Sequence, residues 1–141
     1  SGDNVVVDVE VVTLAEDLAS LGVDRVDLLK MDIEGHELAA LTGLLPMLRE
    51  RRVTHMLVEI HKKHLGKEGV DRLIEMVIGC GYETRWLDEA AMTKTGWRAA
   101  ASGPGDRSVI DRTLPVSGPE DPLIRDLGNF KVLWSLPVRE S

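Results

Sequence analysis

The amino-acid sequence predicts an α/β fold in which parallel strands are joined by helices. Short runs of apolar and β-branched residues alternate with segments whose apolar residues recur at helical spacing. Glycine or proline follows the helical segments, as expected where helices end. The chain has 141 residues, of which 43% are hydrophobic, and this is enough for one core. We therefore expect a single α/β domain over residues 1–141.

The first predicted strand and helix lie near the N-terminus. Residues 5–14 are rich in valine, with two acidic residues among them, which favours a strand that has one solvated face. Thr13 and Glu16 have the spacing of a capping box, and leucines at helical spacing follow them. Gly22 is expected to end this short helix.

Two apolar strands are predicted at residues 26–31 and 54–60. The first is a nearly continuous apolar run, which is typical of a parallel strand covered on both faces. A leucine-rich helix begins after Gly35 and lies between the two strands. Gly43 and Pro46 are expected to break this helix into two pieces.

The remaining predicted elements are one helix and two strands. Apolar residues between positions 70 and 78 form the stripe of a core-facing helix. Aromatic and β-branched residues predict strands at 82–87 and 130–136. Residues 88–128 are rich in Gly, Pro and Ser without a sustained period, so we expect a long irregular insertion there.

Acidic residues and a histidine follow two of the predicted strands, at the point where each strand ends. Asp32 and Glu34 follow the first of these strands, and Glu59 and His61 lie at the end of the second. Ligands in parallel sheets bind beyond the carboxyl ends of the strands. The sequence therefore predicts a site whose groups bind a divalent metal, deprotonate a hydroxyl or hold ribose hydroxyls.

Several residues near this site also have a structural interpretation. A carboxylate at a strand end often caps the next helix, and Glu34 would stabilise a helix N-terminus. Lys30 can orient the carboxylates and take part in proton transfer, or it can form an ion pair. His61 has the better position for general-base chemistry, whereas His36 can point into the crevice or to water. Trp97, inside the irregular segment, is the tryptophan expected to line a pocket.

The composition argues against several classes of function. The chain has 24 acidic and 17 basic residues and a formal net charge of −7, the wrong sign for binding nucleic acid or anionic lipid. No apolar run reaches the roughly 20 residues that span a bilayer. The single cysteine, Cys80, cannot form an intrachain disulfide and lies in an apolar stretch, which favours the cytoplasm. We expect no nucleic-acid partner and no membrane partner.

A distinctive motif closes the first apolar strand. Its residues are Lys30, Asp32, Glu34, Gly35 and Glu37, in the pattern Lys-x-Asp-x-Glu-Gly-x-Glu. The segment VEVVTLAEDL precedes the motif and the segment MLVEIH follows it. Together these sequences resemble the FkbM family of S-adenosylmethionine-dependent methyltransferases.

The resemblance implies a partial Rossmann-like methyltransferase sheet, with parallel strands and an antiparallel C-terminal edge pair. It also implies transfer of a methyl group from S-adenosylmethionine to a hydroxyl of a small molecule or sugar. The protein's task would be to align this hydroxyl and to assist its deprotonation, with or without a divalent metal. The site residues expected on this basis are Asp32, Glu59, His61 and Lys30 for catalysis, and Glu34, Gly35 and His36 for cofactor binding.

The glycine-rich cofactor loop of the family does not occur in this sequence. No Gly-x-Gly-x-x-Gly pattern precedes a predicted helix. We therefore expect the C-terminal half of a methyltransferase domain, inactive alone and unable to bind the cofactor tightly. Such a chain is truncated, completed by another chain or a degenerate relative. The strand at 26–31 would then expose one edge, which predicts a homodimer through that edge.

Two other functions fit the same residues. A non-catalytic α/β interaction or scaffold module would account for the missing glycine loop and the open sheet edge. A metal-dependent hydrolase would use Asp32, Glu59 and His61, although their spacing matches no recognised metal motif.

Overall fold

The protein's structure, a computed structural model, describes residue 2, residues 4–88 and residues 113–138. Helices and the strands of one mixed sheet alternate over the first part of these residues, as predicted for an α/β fold. The elements, in chain order, are α1 (Leu14–Ser20), β1 (Val26–Met31), α2 (Glu37–Gly43), α3 (Leu45–Arg49), β2 (Val53–Ile60), α4 (Lys62–Gly79), β3 (Glu83–Leu87), β4 (Thr113–Val116) and β5 (Phe130–Ser135).

The sheet has the strand order β1-β2-β5-β3-β4. β1 and β2 are parallel, and every other pair of neighbouring strands in this order is antiparallel. The predicted segments 82–87 and 130–136 do pair antiparallel, as β3 and β5. They do not form the edge of the sheet, because β4 lies outside β3. The α/β class is confirmed, and the Rossmann-like arrangement stays a prediction.

β4 lies inside the segment that was predicted to be irregular, so that prediction was wrong for residues 113–116. The strand is short and contains Pro115, which cannot donate to a ladder and is tolerated on an edge strand. A local pattern therefore gave no strand signal there. Pairing with β3, in which Leu87 lies opposite Thr113, defines the strand.

The core lies where the helices pack on the sheet. Trp134, in β5, is fully buried, and its Nε1 donates a hydrogen bond of 2.8 Å to Oγ1 of Thr84 in β3. Leu41 of α2 and Leu73 of α4 are also fully buried. The predicted apolar stripe from 70 to 78 is confirmed as the core-facing side of α4, with positions 70, 73, 74 and 77 buried.

β1 is an edge strand and is largely exposed. Asp27, Leu28 and Lys30 face solvent, and Leu28 is 61% exposed. The prediction of a strand covered on both faces was wrong, because Leu28 and Lys30, which lie on the same face of the strand, are exposed. Among the described residues β1 pairs only with β2. The open edge expected from the sequence is present, and the homodimer through it stays a prediction.

Residues 4–13 contain no strand, so the strand predicted over residues 5–14 was wrong. Its valines are exposed, with Val6 at 89% and Val11 at 90%. β-branched residues favour a strand where they pack against neighbouring strands, and these residues pair with none in the described part of the chain. The capping box that follows is confirmed: Thr13 Oγ1 accepts from the Glu16 backbone N–H, and the Glu16 carboxylate accepts from that of Thr13.

The ends of all five strands meet along one border of the sheet, which runs across the strands and is distinct from the edge strands β1 and β4. We refer to this border as the strand-end edge. β1 and β2 end there, and β5 begins there with Phe130 opposite Ile60. β3 ends at the same edge with Leu87, which lies opposite Thr113 at the start of β4. The Arg85 side chain donates to Oγ1 of Thr113 at 2.6 Å and to its backbone oxygen at 2.7 Å. Asp32, Glu59 and His61 lie at this edge, at the ends of β1 and β2.

Candidate functional site

Three polar side chains meet at this edge of the sheet. Asp32 follows β1 directly, Glu59 is the penultimate residue of β2, and His61 follows β2. β1 and β2 are parallel neighbours, with Met31 opposite Val58, so their ends lie side by side. Each of the three polar residues offers a ligand atom within 4.8 Å of those of the other two. We refer to this group as the Asp32–Glu59–His61 cluster.

A buried carboxylate lies behind His61. Glu37, the first residue of α2, is 0% exposed. Its Oε1 lies 2.6 Å from His61 Nδ1 and accepts a hydrogen bond of 3.1 Å from the backbone N–H of Gly35. An ionised carboxylate can only accept, so Nδ1 carries a proton and donates it. Nε2, on the other side of the ring, lies 3.5 Å from Oδ1 of Asp32.

The charges around His61 shift its pKa and that of Glu37 in opposite directions. Burial tends to lower the pKa of His61, but the hydrogen bond and charge of Glu37, with the charges of Glu59 and Asp32, raise it above its usual value. Burial tends to raise the pKa of Glu37, but hydrogen bonds from Gly35 and His61 outweigh it, so this pKa is lowered. The network therefore favours an ionised Glu37 carboxylate.

The turn between β1 and α2 approaches α4 so closely that glycine is required at position 35. Gly35 has a φ of +104°, and a Cβ there would lie 2.4 Å from Cβ of His64. Glu34, before it, also has a positive φ, of 49°. A turn this close to the helix brings Glu37 behind His61, whose ring centroid lies 6.3 Å from that of His64.

The ammonium group of Lys131 borders the cluster. Lys131, at the start of β5, lies opposite Glu59 in the ladder, and its Nζ is 3.9 Å from the Glu59 Oε2. This separation is at the long end for an ion pair between half-buried side chains. Within the described ranges, Lys131 is the ammonium group that forms an ion pair with this cluster, through Glu59.

A cleft of about 880 Å³ opens beside Asp32. It lies between the segment before α1, the end of β1, and α2. The apolar part of its wall includes Val12, Leu29, Met31, Ile33 and Ala40, and its polar groups include Glu16, Asp17, Lys30, Asp32 and His36. Asp32 therefore belongs both to the cleft and to the cluster, whereas Glu59 and His61 lie outside the cleft lining.

The family model described as the methyltransferase FkbM domain matches residues 1–84, which include the whole cluster and Glu37. The chain belongs to the FkbM family. Membership of this family indicates methyl transfer in general. Comparisons with curated proteins and with solved structures gave no significant match.

The region matched to the FkbM family contains every residue predicted to be catalytic or cofactor-binding, and the structure brings some of them together. The cluster unites Asp32, Glu59 and His61. Lys30 and His36 are exposed and line the cleft with Asp32, while Glu34 is exposed on the turn. Gly35 contributes its backbone N–H to Glu37. The catalytic and cofactor-binding roles of these residues stay predictions.

Glu37 was not predicted as a site residue, although it belongs to the FkbM motif. The signal that could have identified it is helical spacing. Glu37 lies four residues before Leu41 and seven before Leu44, both of which are fully buried. A carboxylate in an apolar stripe must find a partner inside the protein, and His61 is that partner.

Trp97, the predicted pocket residue, lies outside the described residues. None of the helices in the described ranges is long and apolar enough to cross a membrane. The cytoplasmic location stays a prediction.

Proposed function

We propose that this chain carries a site for S-adenosylmethionine-dependent O-methyl transfer, with a hydroxyl of a small molecule or sugar as the acceptor. One observation carries the proposal: in an FkbM family chain, the Asp32–Glu59–His61 cluster lies at the carboxyl ends of two parallel strands. Ligands of open α/β sheets bind at such a position.

The reaction defines what the residues have to do. A hydroxyl oxygen forms a bond to the methyl carbon while the bond from that carbon to the sulfonium sulfur breaks, and its electron pair stays on sulfur. The hydroxyl proton leaves during or before this displacement, so a group that binds the hydroxyl and promotes proton loss accelerates the reaction. Asp32 and Glu59 can accept a hydrogen bond from the hydroxyl. Either the His61 imidazole or a cation held beside it can promote the loss of the proton.

The cleft beside Asp32 supports the use of S-adenosylmethionine. Its volume of about 880 Å³ lies within the range of small-molecule sites. Its apolar wall suits a purine ring, and the carboxylates of Glu16, Asp17 and Asp32 suit a positively charged sulfonium and amino group. When bound, S-adenosylmethionine supplies an activated methyl group. The lack of a glycine-rich loop in this sequence predicts that the chain binds it weakly.

Titration of the isotope-labelled chain with S-adenosylmethionine, followed by NMR, tests cofactor use even when binding is weak. We expect shifts at the amides of Asp32, Ile33 and Ala40 and none at Leu114 in β4. The Asp32→Asn variant should bind more weakly, whereas Glu120→Gln, which removes an exposed carboxylate outside the cleft lining, should bind as the unmodified chain does. No shift at saturating ligand, or shifts confined to other surfaces, would contradict cofactor use.

The acceptor class needs a separate measurement. The chain is incubated at high concentration with S-adenosylmethionine labelled in its methyl group and a panel of sugars and small alcohols. The sequence predicts a chain that is inactive alone at ordinary concentrations, so any turnover should be slow. At high concentration we expect mass spectrometry to find a small yield of labelled methyl ether, and the Asp32→Asn and His61→Ala variants should form less of it. A label found only on nitrogen or sulfur would refute the proposed chemistry. So would a methyl ether that both variants form in the same amount as the unmodified chain.

A further inference from the structure

We propose that Asp32, Glu59 and His61 form a binding site for a divalent transition-metal ion such as Mn²⁺. The ion would be held by one oxygen from each carboxylate and by Nε2 of His61. The binding site stands independently of methyl transfer, and only its role in deprotonating the acceptor hydroxyl rests on the proposed function.

The separations within the cluster suit a shared ion. Ligand atoms at about 2.1 Å from one ion lie about 3 to 4 Å from each other, depending on the coordination angle. Nε2 of His61 is 3.5 Å from Oδ1 of Asp32, inside this range. All three ligand atoms lie within 4.8 Å of one another, so a small side-chain rotation of Glu59 or Asp32 completes the set. Two carboxylates and one imidazole form the mixed oxygen and nitrogen set that suits Mn²⁺.

The second observation is the buried carboxylate of Glu37. It accepts a hydrogen bond from the Nδ1–H of His61, so a neutral His61 directs the lone pair of Nε2 toward Asp32. Metal-binding histidines nearly always donate their other ring N–H to a carboxylate or carbonyl in this way, which fixes the ring and its tautomer. A neutral Nε2 and a carboxylate oxygen are both acceptors, so a positively charged group between them would satisfy both.

The charges and exposure of the cluster also favour a cation. Asp32 and Glu59 contribute two negative charges, and Lys131 contributes one positive charge at 3.9 Å from Glu59. Counted over the part of the chain that the structure describes, these charges leave the cluster net negative when His61 is neutral. The Asp32 side chain is 49% exposed, which leaves an entry path from solvent.

The competing occupant of this place is a proton. Burial opposes the proton, but the hydrogen bond and charge of Glu37, with the charges of Glu59 and Asp32, raise the pKa of His61 and favour it. A protonated His61 would donate from Nε2 to Asp32 and would need no metal. The 3.5 Å separation is long for such a charge-assisted hydrogen bond, which normally measures about 2.7 to 2.9 Å. The two occupants are distinguished by measuring metal binding directly.

The test is Mn²⁺ binding to the metal-free chain at neutral pH without S-adenosylmethionine, by calorimetry and electron paramagnetic resonance. We expect one ion per chain. Asp32→Asn, Glu59→Gln and His61→Gln should each weaken the affinity by about tenfold or more, because each replaces a carboxylate or imidazole ligand with a neutral amide that binds the ion less strongly. Glu37→Gln keeps an acceptor for Nδ1 but removes its charge, and should weaken binding by a smaller factor. The matched control is Glu120→Gln, since Glu120 is an exposed carboxylate that pairs with Lys67 away from the cluster.

Two results would overturn the metal site: no saturable Mn²⁺ binding by the folded chain, or binding that survives both Asp32→Asn and Glu59→Gln unchanged. Circular dichroism of each variant separates loss of a ligand from loss of the fold. Failure of Mn²⁺ binding together with ligand shifts in the cleft would remove the metal site and leave methyl transfer standing. Mn²⁺ binding without any response to S-adenosylmethionine would support the metal site and contradict cofactor use.

Discussion

Oε1 of Glu37 accepts a hydrogen bond of 2.6 Å from Nδ1 of His61, and this bond joins the start of α2 to the end of β2. The second oxygen of this carboxylate, Oε2, is buried without a hydrogen-bond partner in the part of the chain that the structure describes. A buried, half-satisfied carboxylate is costly unless its charge is compensated. Glu37 therefore depends on His61 as much as the orientation of His61 depends on Glu37.

Replacement of Glu37 should change the tautomer of His61. In Glu37→Leu the acceptor for Nδ1 is lost, so the neutral imidazole should become a mixture of tautomers. In Glu37→Gln the amide oxygen can still accept, so the proton should stay on Nδ1. Nitrogen chemical shifts of the labelled imidazole in metal-free protein measure this directly. Equal shifts in the two variants would mean that the hydrogen bond does not fix the ring.

Replacement of Gly35 should destabilise the protein more than replacement of Gly22. Both have positive φ, but a Cβ at Gly35 would lie 2.4 Å from His64, whereas a Cβ at Gly22 would meet nothing within 4 Å. We expect Gly22→Ala to cost about 1 kcal/mol from backbone strain alone, and Gly35→Ala about 2 kcal/mol or more. Urea unfolding of both variants measures the difference. Similar costs would show that the turn can move away from α4.

Tyr82 should make stability sensitive to strongly alkaline pH. Burial, with a smaller contribution from Cys80, raises the pKa of Tyr82 from 10.0 to about 12, against the opposing charge of Arg51. Because the folded-state pKa is the higher one, the contribution of Tyr82 is fully present below about pH 10 and is lost as the pH rises toward 12.

The matched variant is Tyr82→Phe. It removes the hydroxyl that donates to the backbone oxygen of Val53, which should cost about 1 kcal/mol at neutral pH. It should also remove this part of the alkaline loss of stability. Thermal unfolding across the alkaline range compares the two proteins, and parallel curves would contradict the assignment.

Loss of the Thr84 hydroxyl should expose the cost of an unpaired indole in the core. In Thr84→Val the Nε1–H of Trp134 loses its acceptor while it remains buried, so we expect a loss of about 1 to 3 kcal/mol. Thr84→Ser retains the hydroxyl and should lose less. Chemical unfolding monitored by tryptophan fluorescence measures the stability of both variants. A Thr84→Val variant as stable as the unmodified protein would indicate another acceptor for the indole.

The elements that could be predicted from the sequence depend on nearby residues. The capping box of Thr13 and Glu16 and the helix break after Gly43 act within one or two helical turns, and the structure confirms them. Pro46 lies in the first turn of α3 rather than at the break. The strand expected over residues 5–14 and the missed β4 depend instead on whether another strand lies alongside. Composition does not contain that information, because pairing is set by the whole sheet.

The candidate site also has one part that could be predicted from the sequence and one part that could not. The meeting of Asp32 with Glu59 and His61 follows from a general property of parallel strands, whose carboxyl ends share one edge. The role of Glu37 could not be predicted from its place at a helix start, where a carboxylate is also favoured by the helix dipole. Only the packing of α2 against the rest of the protein shows that this side chain is buried and bonded to His61.

The junction of Leu87 with Thr113 has a consequence for how this protein can diverge. The β3–β4 ladder and the bonds from Arg85 anchor both ends of the intervening chain at the edge that carries the cluster. Closing a longer connection between two fixed ends adds only about 0.6 kcal/mol for each doubling of its length. A change in the length of the connection between Leu87 and Thr113 is therefore compatible with the same β3–β4 register, which is set by the pairing of these two strands.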